Sequence, residues 1–310
     1  MLYTLQPDRT TLHGPFSRER APCLTVDSGD TVRLSTLDAG WGLEAPHADG
    51  SPRRQFEPRS PEDDKGHCLV GPIAVRGAQP GMALEVHIDD LRPGVYGWTA
   101  AGGWSYPVND RLGVSGGPET TLIWSLDADQ MIGRDQFGHQ VTLKPHLGVI
   151  GMPADEAGYQ PTPPPRFCGG NMDCKEFGAG TSVFLPIAVE GGLLSVGDGH
   201  ALMGDGELSC TGIECPMEFV QLTLTLHPDL KFKTPRAKTS TAWLTLGFNE
   251  DLDEAAMIAA EAMLDLIETQ YQIPERQALA LASLVVDFRV TQLVNGVHGV
   301  HAVLPHGAIR

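Results

Sequence analysis

The sequence has no run of about 18 apolar residues, so it contains no segment suited to crossing a bilayer as a helix. Its opening residues, Met1 to Asp8, lack a basic stretch followed by an apolar one. They do not read as a secretion signal, and a cytoplasmic protein is the expectation. Basic residues are scarce: 22 lysines and arginines face 39 acidic residues, for a net charge of −17. Such a chain repels phosphate backbones and anionic lipid, so neither nucleic acid nor a membrane is expected as a partner. The six cysteines, Cys23, Cys68, Cys168, Cys174, Cys210 and Cys215, include no paired Cys-x-x-Cys motifs at zinc-finger spacing. Free thiols are expected, not a disulfide framework. Cys168 and Cys174 have no adjacent histidine to mark either as a nucleophile. No internal repeat is visible.

What the chain does have is turn residues. With 36 glycines and 24 prolines among 310 residues, many short strands are expected in place of a helical bundle. Strands are predicted at 31–37, 69–75, 83–91, 121–126, 183–189 and 218–227. In the last of these, Val220, Leu222, Leu224 and Leu226 alternate with polar residues, the pattern of a half-buried antiparallel strand. Turns are predicted at 27–30, 79–81 and 190–192, and the four prolines within 161–166 mark an exposed connector. The charged stretch 44–65, which carries Glu44 and His47, reads as a surface loop. A helix is predicted over 252–270, capped by Asn249 or Asp251, with Ala256, Ala260, Met263 and Ile267 on its buried side. A second helix should follow Pro274 over 275–284, and strands over 285–294 and 298–304. The fold expected is mainly β: sandwich-like sheets plus a C-terminal helix-containing α+β portion.

Metal-capable groups are densest between 169 and 214. Asp198 and His200 are two residues apart, so on an extended chain they project from one face. Gly197, Gly199, Gly204 and Gly206 let backbone approach an ion or substrate. Asp173 and Glu214 each follow a segment able to bring a carboxylate to the same point. One imidazole with two or three carboxylates suits Zn²⁺ with an open position, whereas a mostly oxygen set favours Ca²⁺ or Mn²⁺. His67, His139, His146, His298, His301 and His306 are scattered and read as surface or core residues; Trp98 and Trp104 read as packing residues.

Three pieces of this block, Gly-Gly-Asn-x-Asp at 169–173, Gly-Asp-x-His-x-x-x-Gly-Asp-Gly-Glu at 197–207 and Gly-Ile-Glu at 212–214, together resemble the acetamidase/formamidase family. The likeness extends to 27–38, 71–81 and 287–292, nearly the whole chain. It implies one unit over 1–310, with a β-rich part at 1–160 and a motif-bearing part at 161–310 whose helices lie near 252–284. It also implies metal-dependent hydrolysis of a small carboxylic amide to the acid and ammonia. In physical terms, Asp173, His200 and Glu214 hold a divalent ion, Zn, Ca or Mn, that activates water. Glu207, Asp198 or Asp38 takes the proton, and Asn171 orients the substrate amide. The sequence departs from the family at Met82, where an acidic residue is common, and at Met203, where glutamine is common. An apolar Met203 leaves open a lactamase, or an amidase for a larger or cyclic amide. A non-enzymatic β-sandwich module with a structural Ca site is the third reading. A homodimer or higher homo-oligomer is the expectation for an enzyme of this size.

Overall fold

The computed structural model describes residues 1–310. Strand makes up 38% of the chain and helix 12%, so the architecture is mainly β. Two large sheets carry it. The nine-stranded sheet runs in the order Leu2–Leu5, Asp30–Leu34, Met217–His227, Ala83–Pro93, Ser182–Pro186, Arg236–Lys238, Ala242–Asn249, His298–Pro305 and Asp287–Gln292. Apart from the parallel first pair, its neighbours are antiparallel. The alternation predicted near 220 is realised: Val220, Leu222 and Leu224 are fully buried while Gln221 and Thr223 between them are not.

The second sheet holds the candidate site. Its main path is Gln140–Thr142, Ile132–Asp135, Thr120–Asp127, Tyr96–Ala101, Glu214–Cys215, Leu194–His200, His146–Gly151 and Gly169–Asn171. The Leu194–His200 strand changes partner along one edge. Residues up to Gly197 pair with Leu69–Val75, whereas Gly199 and His200 pair with Glu214–Cys215. Asp198 lies at the change, in a left-handed conformation (φ 55°). Glycines at 197 and 199 permit this close three-way packing: a Cβ on Gly197 would lie 2.4 Å from the Cys68 carbonyl, and one on Gly199 2.7 Å from Met217.

A core of 41 buried residues, drawn from Leu5 to Val303, joins the two sheets. A smaller one lies under the C-terminal helices. The first, Leu252–Tyr271, is capped by Asp251, whose carboxylate accepts from the N–H groups of Asp253 and Glu254. It packs on Ala242–Asn249 so closely that a Cβ on Gly247 would fall 2.0 Å from the Ala255 carbonyl. The buried stripe is Ala255, Ala259, Met263, Leu266 and Ile267, so its alanines lie one residue before the expected Ala256 and Ala260. Small residues are needed where the helix meets Gly247, and this contact, not periodicity alone, sets its rotation. The second helix, Glu275–Val285, follows Pro274 as expected. No helix is long and apolar enough to cross a membrane. The 161–166 connector is not wholly exposed: Thr162 is buried and its hydroxyl bonds both the backbone N–H and the ring of His67.

Candidate active site

Strand register lays out the site. His146 pairs with His200, His200 with Glu214, and Glu214 with Trp98. In antiparallel sheets directly paired side chains share a face. One row of four side chains therefore crosses four adjacent strands. Asp198, two residues before His200, shares that face as its spacing predicted. Opposite it on the neighbouring strand stands Gly148. A Cβ there would meet Asp198 Oδ2 at 2.5 Å and Asp173 Oδ1 at 2.6 Å, so two carboxylates occupy the space a side chain would fill. Asp173 reaches this point from the turn after Gly169–Asn171, with its N–H bonded to the Gly148 carbonyl at 3.2 Å.

The result is a buried cluster. One oxygen each of Asp173 and Asp198 and a ring nitrogen of His200 lie within 4.8 Å of one another. His200, Glu207 and Glu214 satisfy the same limit. His200 Nε2 is 2.9 Å from Glu214 Oε1 and 3.6 Å from Asp198 Oδ1. The short approach to Glu214 is out of line for a hydrogen bond, and Nε2 is left without one. Five of the eleven buried side-chain polar atoms without a partner lie on this block: Asn171 Oδ1, Asp173 Oδ1, His200 Nε2, Glu207 Oε2 and Glu214 Oε2. Buried polar atoms are ordinarily satisfied, so acceptors left open around one point fit a cation. One imidazole and several carboxylates suit a divalent ion such as zinc or manganese.

The backbone is also bent to this purpose. Asp173 (φ 46°), Asp198 (φ 55°) and Glu207 (φ 44°) all take the left-handed conformation. For non-glycine residues this costs on the order of 1–3 kcal/mol each and is retained where surrounding structure holds it, commonly at working sites. An ion pair between Lys175 and Asp205, 2.7 Å apart, ties the turn carrying Asp173 to the turn carrying Glu207.

Electrostatics follow from crowding in the interior. Burial, then Asp198, pushes Asp173 up to about 6. Burial raises Glu214 to about 8 although His200 pulls the other way. Glu207 is well above the ordinary glutamate range through burial and Asp173. Against burial, His200 and then His67 hold Asp198 below its usual value. Burial disfavours charge on His200, but Glu214 and Asp198 outweigh it. So many groups contending for few protons is the state that a bound cation relieves.

Asp38 does not join the cluster. Its buried carboxylate is forked by Arg53, at 2.5 and 3.1 Å, and accepts from the Gly42 N–H. The structure thus places Asp38 with Arg53 and not among the grouped acids around His200. Arg53 belongs to the 44–65 loop and also lies over the Trp98 ring, 5.6 Å from its centroid. The loop is thereby pinned beside the row; its Glu44 side chain is bound to Arg54 and near His47. Trp98 is paired with Glu214, and its buried indole N–H has no partner. Met203 is buried beside Gly212, whose added Cβ would lie 3.1 Å from Met203 and 3.2 Å from the His200 ring. Met82 instead packs against the main core. All six cysteines are free, and burial pushes the Cys168 thiol up to about 12 and raises Cys174 likewise, which favours the neutral thiol at both.

Three participants escaped the sequence reading. His146 is fully buried against His200, Asn295 Nδ2 donates to Asp173 Oδ2 at 2.6 Å, and Gly148 supplies space. The histidine and asparagine lie 54 and 122 residues from their partners; strand pairing brings in the first, and the turn after Asp287–Gln292 the second.

By fold and site, this is a two-sheet β-protein with a buried acid–imidazole centre able to hold a divalent ion. Residues 153–306 match the sequence model of the acetamidase/formamidase family. Over that stretch, just under half of its length, the chain resembles the family. It is 48% identical over 253 residues to the formamidase of Methylophilus methylotrophus, covering 66% of this chain and 61% of that one. It is 30% identical over 206 residues to the acetamidase of Mycolicibacterium smegmatis, covering 48% and 50%. The chain thus spans about half to three-fifths of the length of the curated relatives it matches. A solved structure of a predicted acetamidase/formamidase from Thermoanaerobacter tengcongensis superposes with a TM-score of 0.85 at 28% identity, over 98% of this chain and 96% of that one.

Proposed function

We propose that this protein is an amidase that hydrolyses a small carboxylic amide to the acid and ammonia, working at the acid–imidazole cluster as one unit over residues 1–310. The observation that carries the reading is the convergence of unpartnered oxygens and His200 Nε2 on one buried point, in a chain that resembles the acetamidase/formamidase family. Asp173, Asp198, His200 and Glu214 are the residues suited to hold the ion, with zinc the metal that this donor set fits best. When bound, a divalent ion there supplies a Lewis acid and lowers the pKa of water toward neutrality. Glu207 is the base: it lies within reach of His200 and Glu214, and burial and Asp173 raise its proton affinity, which suits taking a proton from water and returning it to the leaving nitrogen. Asn171 and the Trp98 N–H, both unpartnered, orient the amide. The interior position of the cluster keeps bulk water away and strengthens every charge in it. Buried Met203 favours a substrate carrying an apolar group over formamide. Six free cysteines fit a reducing, cytoplasmic setting, and a homo-oligomer fits an enzyme of this size.

The test is ammonia release from formamide, acetamide, propionamide and a γ-lactam, with and without a chelator. Activity abolished by the chelator and restored by zinc is expected. Asp173→Asn should lose metal, whereas Glu207→Gln should keep it and lose about 10²–10⁴-fold in turnover. A protein that binds calcium but releases no ammonia from any amide would be a binding module instead.

A further inference from the structure

We propose that His146 is a positioning residue that fixes the tautomer of His200 and so aims the Nε2 lone pair of His200 into the cluster. This rests on the reading of the cluster as a divalent-ion site. Protons can be counted along the relay from the Lys144 carbonyl through His146 to His200. His146 Nδ1 lies 3.2 Å from the Lys144 carbonyl, which can only accept, so Nδ1 carries hydrogen. A fully buried imidazole with no carboxylate on either nitrogen holds a single proton, so His146 Nε2 is an acceptor. That nitrogen faces His200 Nδ1 at 3.3 Å, and His200 Nδ1 must therefore donate. The remaining nitrogen of His200, Nε2, lies close to Glu214 and Asp198 without a hydrogen bond and is the one free to ligate.

Histidine ligands generally donate their second N–H to a carboxylate or carbonyl, which fixes ring orientation and raises basicity. Here a neutral imidazole fills that place. The choice has a reason in the surroundings: a further carboxylate behind His200 would add a fifth to Asp173, Asp198, Glu207 and Glu214. The pairing is set by the sheet, since the two rings come from directly paired positions and meet edge to face with centroids 5.1 Å apart. The relay also ends at the Lys144 carbonyl, which can pass no proton onward. His200 is thus a fixed ligand and not a proton shuttle, and proton traffic is left to Glu207.

The experiment compares zinc affinity, by competition with a chromophoric chelator, in wild type, His146→Leu and His146→Gln. Leucine removes the acceptor, while the glutamine side-chain oxygen restores one. Expected are a 10–100-fold loss for His146→Leu and affinity within a few-fold of wild type for His146→Gln. Equal affinity in wild type and His146→Leu, or equal losses in both variants, overturns the proposal. Long-range ¹H–¹⁵N spectra of the wild-type histidines decide independently, and serve even where His146→Leu does not fold: a neutral Nδ1–H His146 is expected, and an Nε2–H His146 overturns it. Absence of zinc binding by the wild type would instead sink the reading of the site, a result distinct from either.

Discussion

Replacing Gly148 by alanine adds one methyl group where two carboxylates already lie. The new Cβ would stand 2.5 Å from Asp198 Oδ2 and 2.6 Å from Asp173 Oδ1, against an ordinary contact of 3.4 Å or more, so each oxygen must retreat by about 0.9 Å. The backbone offers no objection, for Gly148 is not among the residues with positive φ. Where the native conformation is compatible, Gly→Ala stabilises by about 0.4–1 kcal/mol. Overpacking opposes that gain by about 1–3 kcal/mol, so the melting temperature should fall by only a few degrees. The functional loss should be far larger, because displacing reacting or binding groups by about 1 Å costs about 10²-fold in rate. Gly204→Ala is the control: it lies in the same motif, with nothing within 4 Å of its added Cβ. Zinc affinity by calorimetry, amide turnover by ammonia release and melting by circular dichroism should be measured on both. Gly148→Ala with wild-type affinity and turnover would refute the placement of Asp173 and Asp198 around that gap.

Further outcomes are expected. Arg53→Met strands the Asp38 carboxylate in the interior and should destabilise by about 3–5 kcal/mol in urea denaturation. Asp38→Asn should keep turnover within about tenfold of wild type once folded; a loss matching that of Glu207→Gln would restore Asp38 as the base. Burial, then Arg20, lowers the His13 pKa to about 3 from an ordinary 6.5, so the folded state refuses a proton that the unfolded chain accepts. Its contribution is present above pH 6.5 and lost as pH falls from there toward 3, and His13→Gln should make the stability–pH curve shallower by about one proton near pH 5. Parallel curves for the two proteins would show that His13 is not buried neutral. Met203→Gln should shift the ratio of turnover on formamide to that on propionamide toward formamide; an unchanged ratio would place Met203 outside the substrate space.

Periodicity and composition made the mainly β architecture and both C-terminal helices legible, because each depends on neighbours along the chain. The strand at Leu69–Val75 and the helix cap at Asp251 are of this kind. Asp198 and His200 could be placed on one face from a spacing of two. The rest of the site depends on register between distant strands. His146 looked like one scattered histidine until its pairing with His200 was known. Gly148 has no chemistry of its own and matters only through the atoms opposite it. The pairing of Asp38 with Arg53 was hidden for the complementary reason: Asp38 is acidic and lies in a family-like segment, but Arg53 sits in a loop with no pattern to read. Trp98 reads as packing because an indole beside glycines offers no sign that its N–H will be left open.

The row His146, His200, Glu214 and Trp98 also has a consequence for how the chain folds. Its members come from four strands, and two of their three pairings, His146 with His200 and Trp98 with Glu214, join residues far apart in the chain. Such non-local pairings form late, after local contacts. A slip of one residue in any of them turns a member of the row to the opposite face. The row, and with it the setting of His200 and Glu214 in the cluster, therefore comes into being only when all three pairings are correct at once. An ion that binds the finished cluster binds the native state alone and stabilises it by mass action, pulling slipped forms back toward the native register. During refolding, metal uptake should trail the burial of the core, and its appearance marks the moment at which the second sheet has found its register.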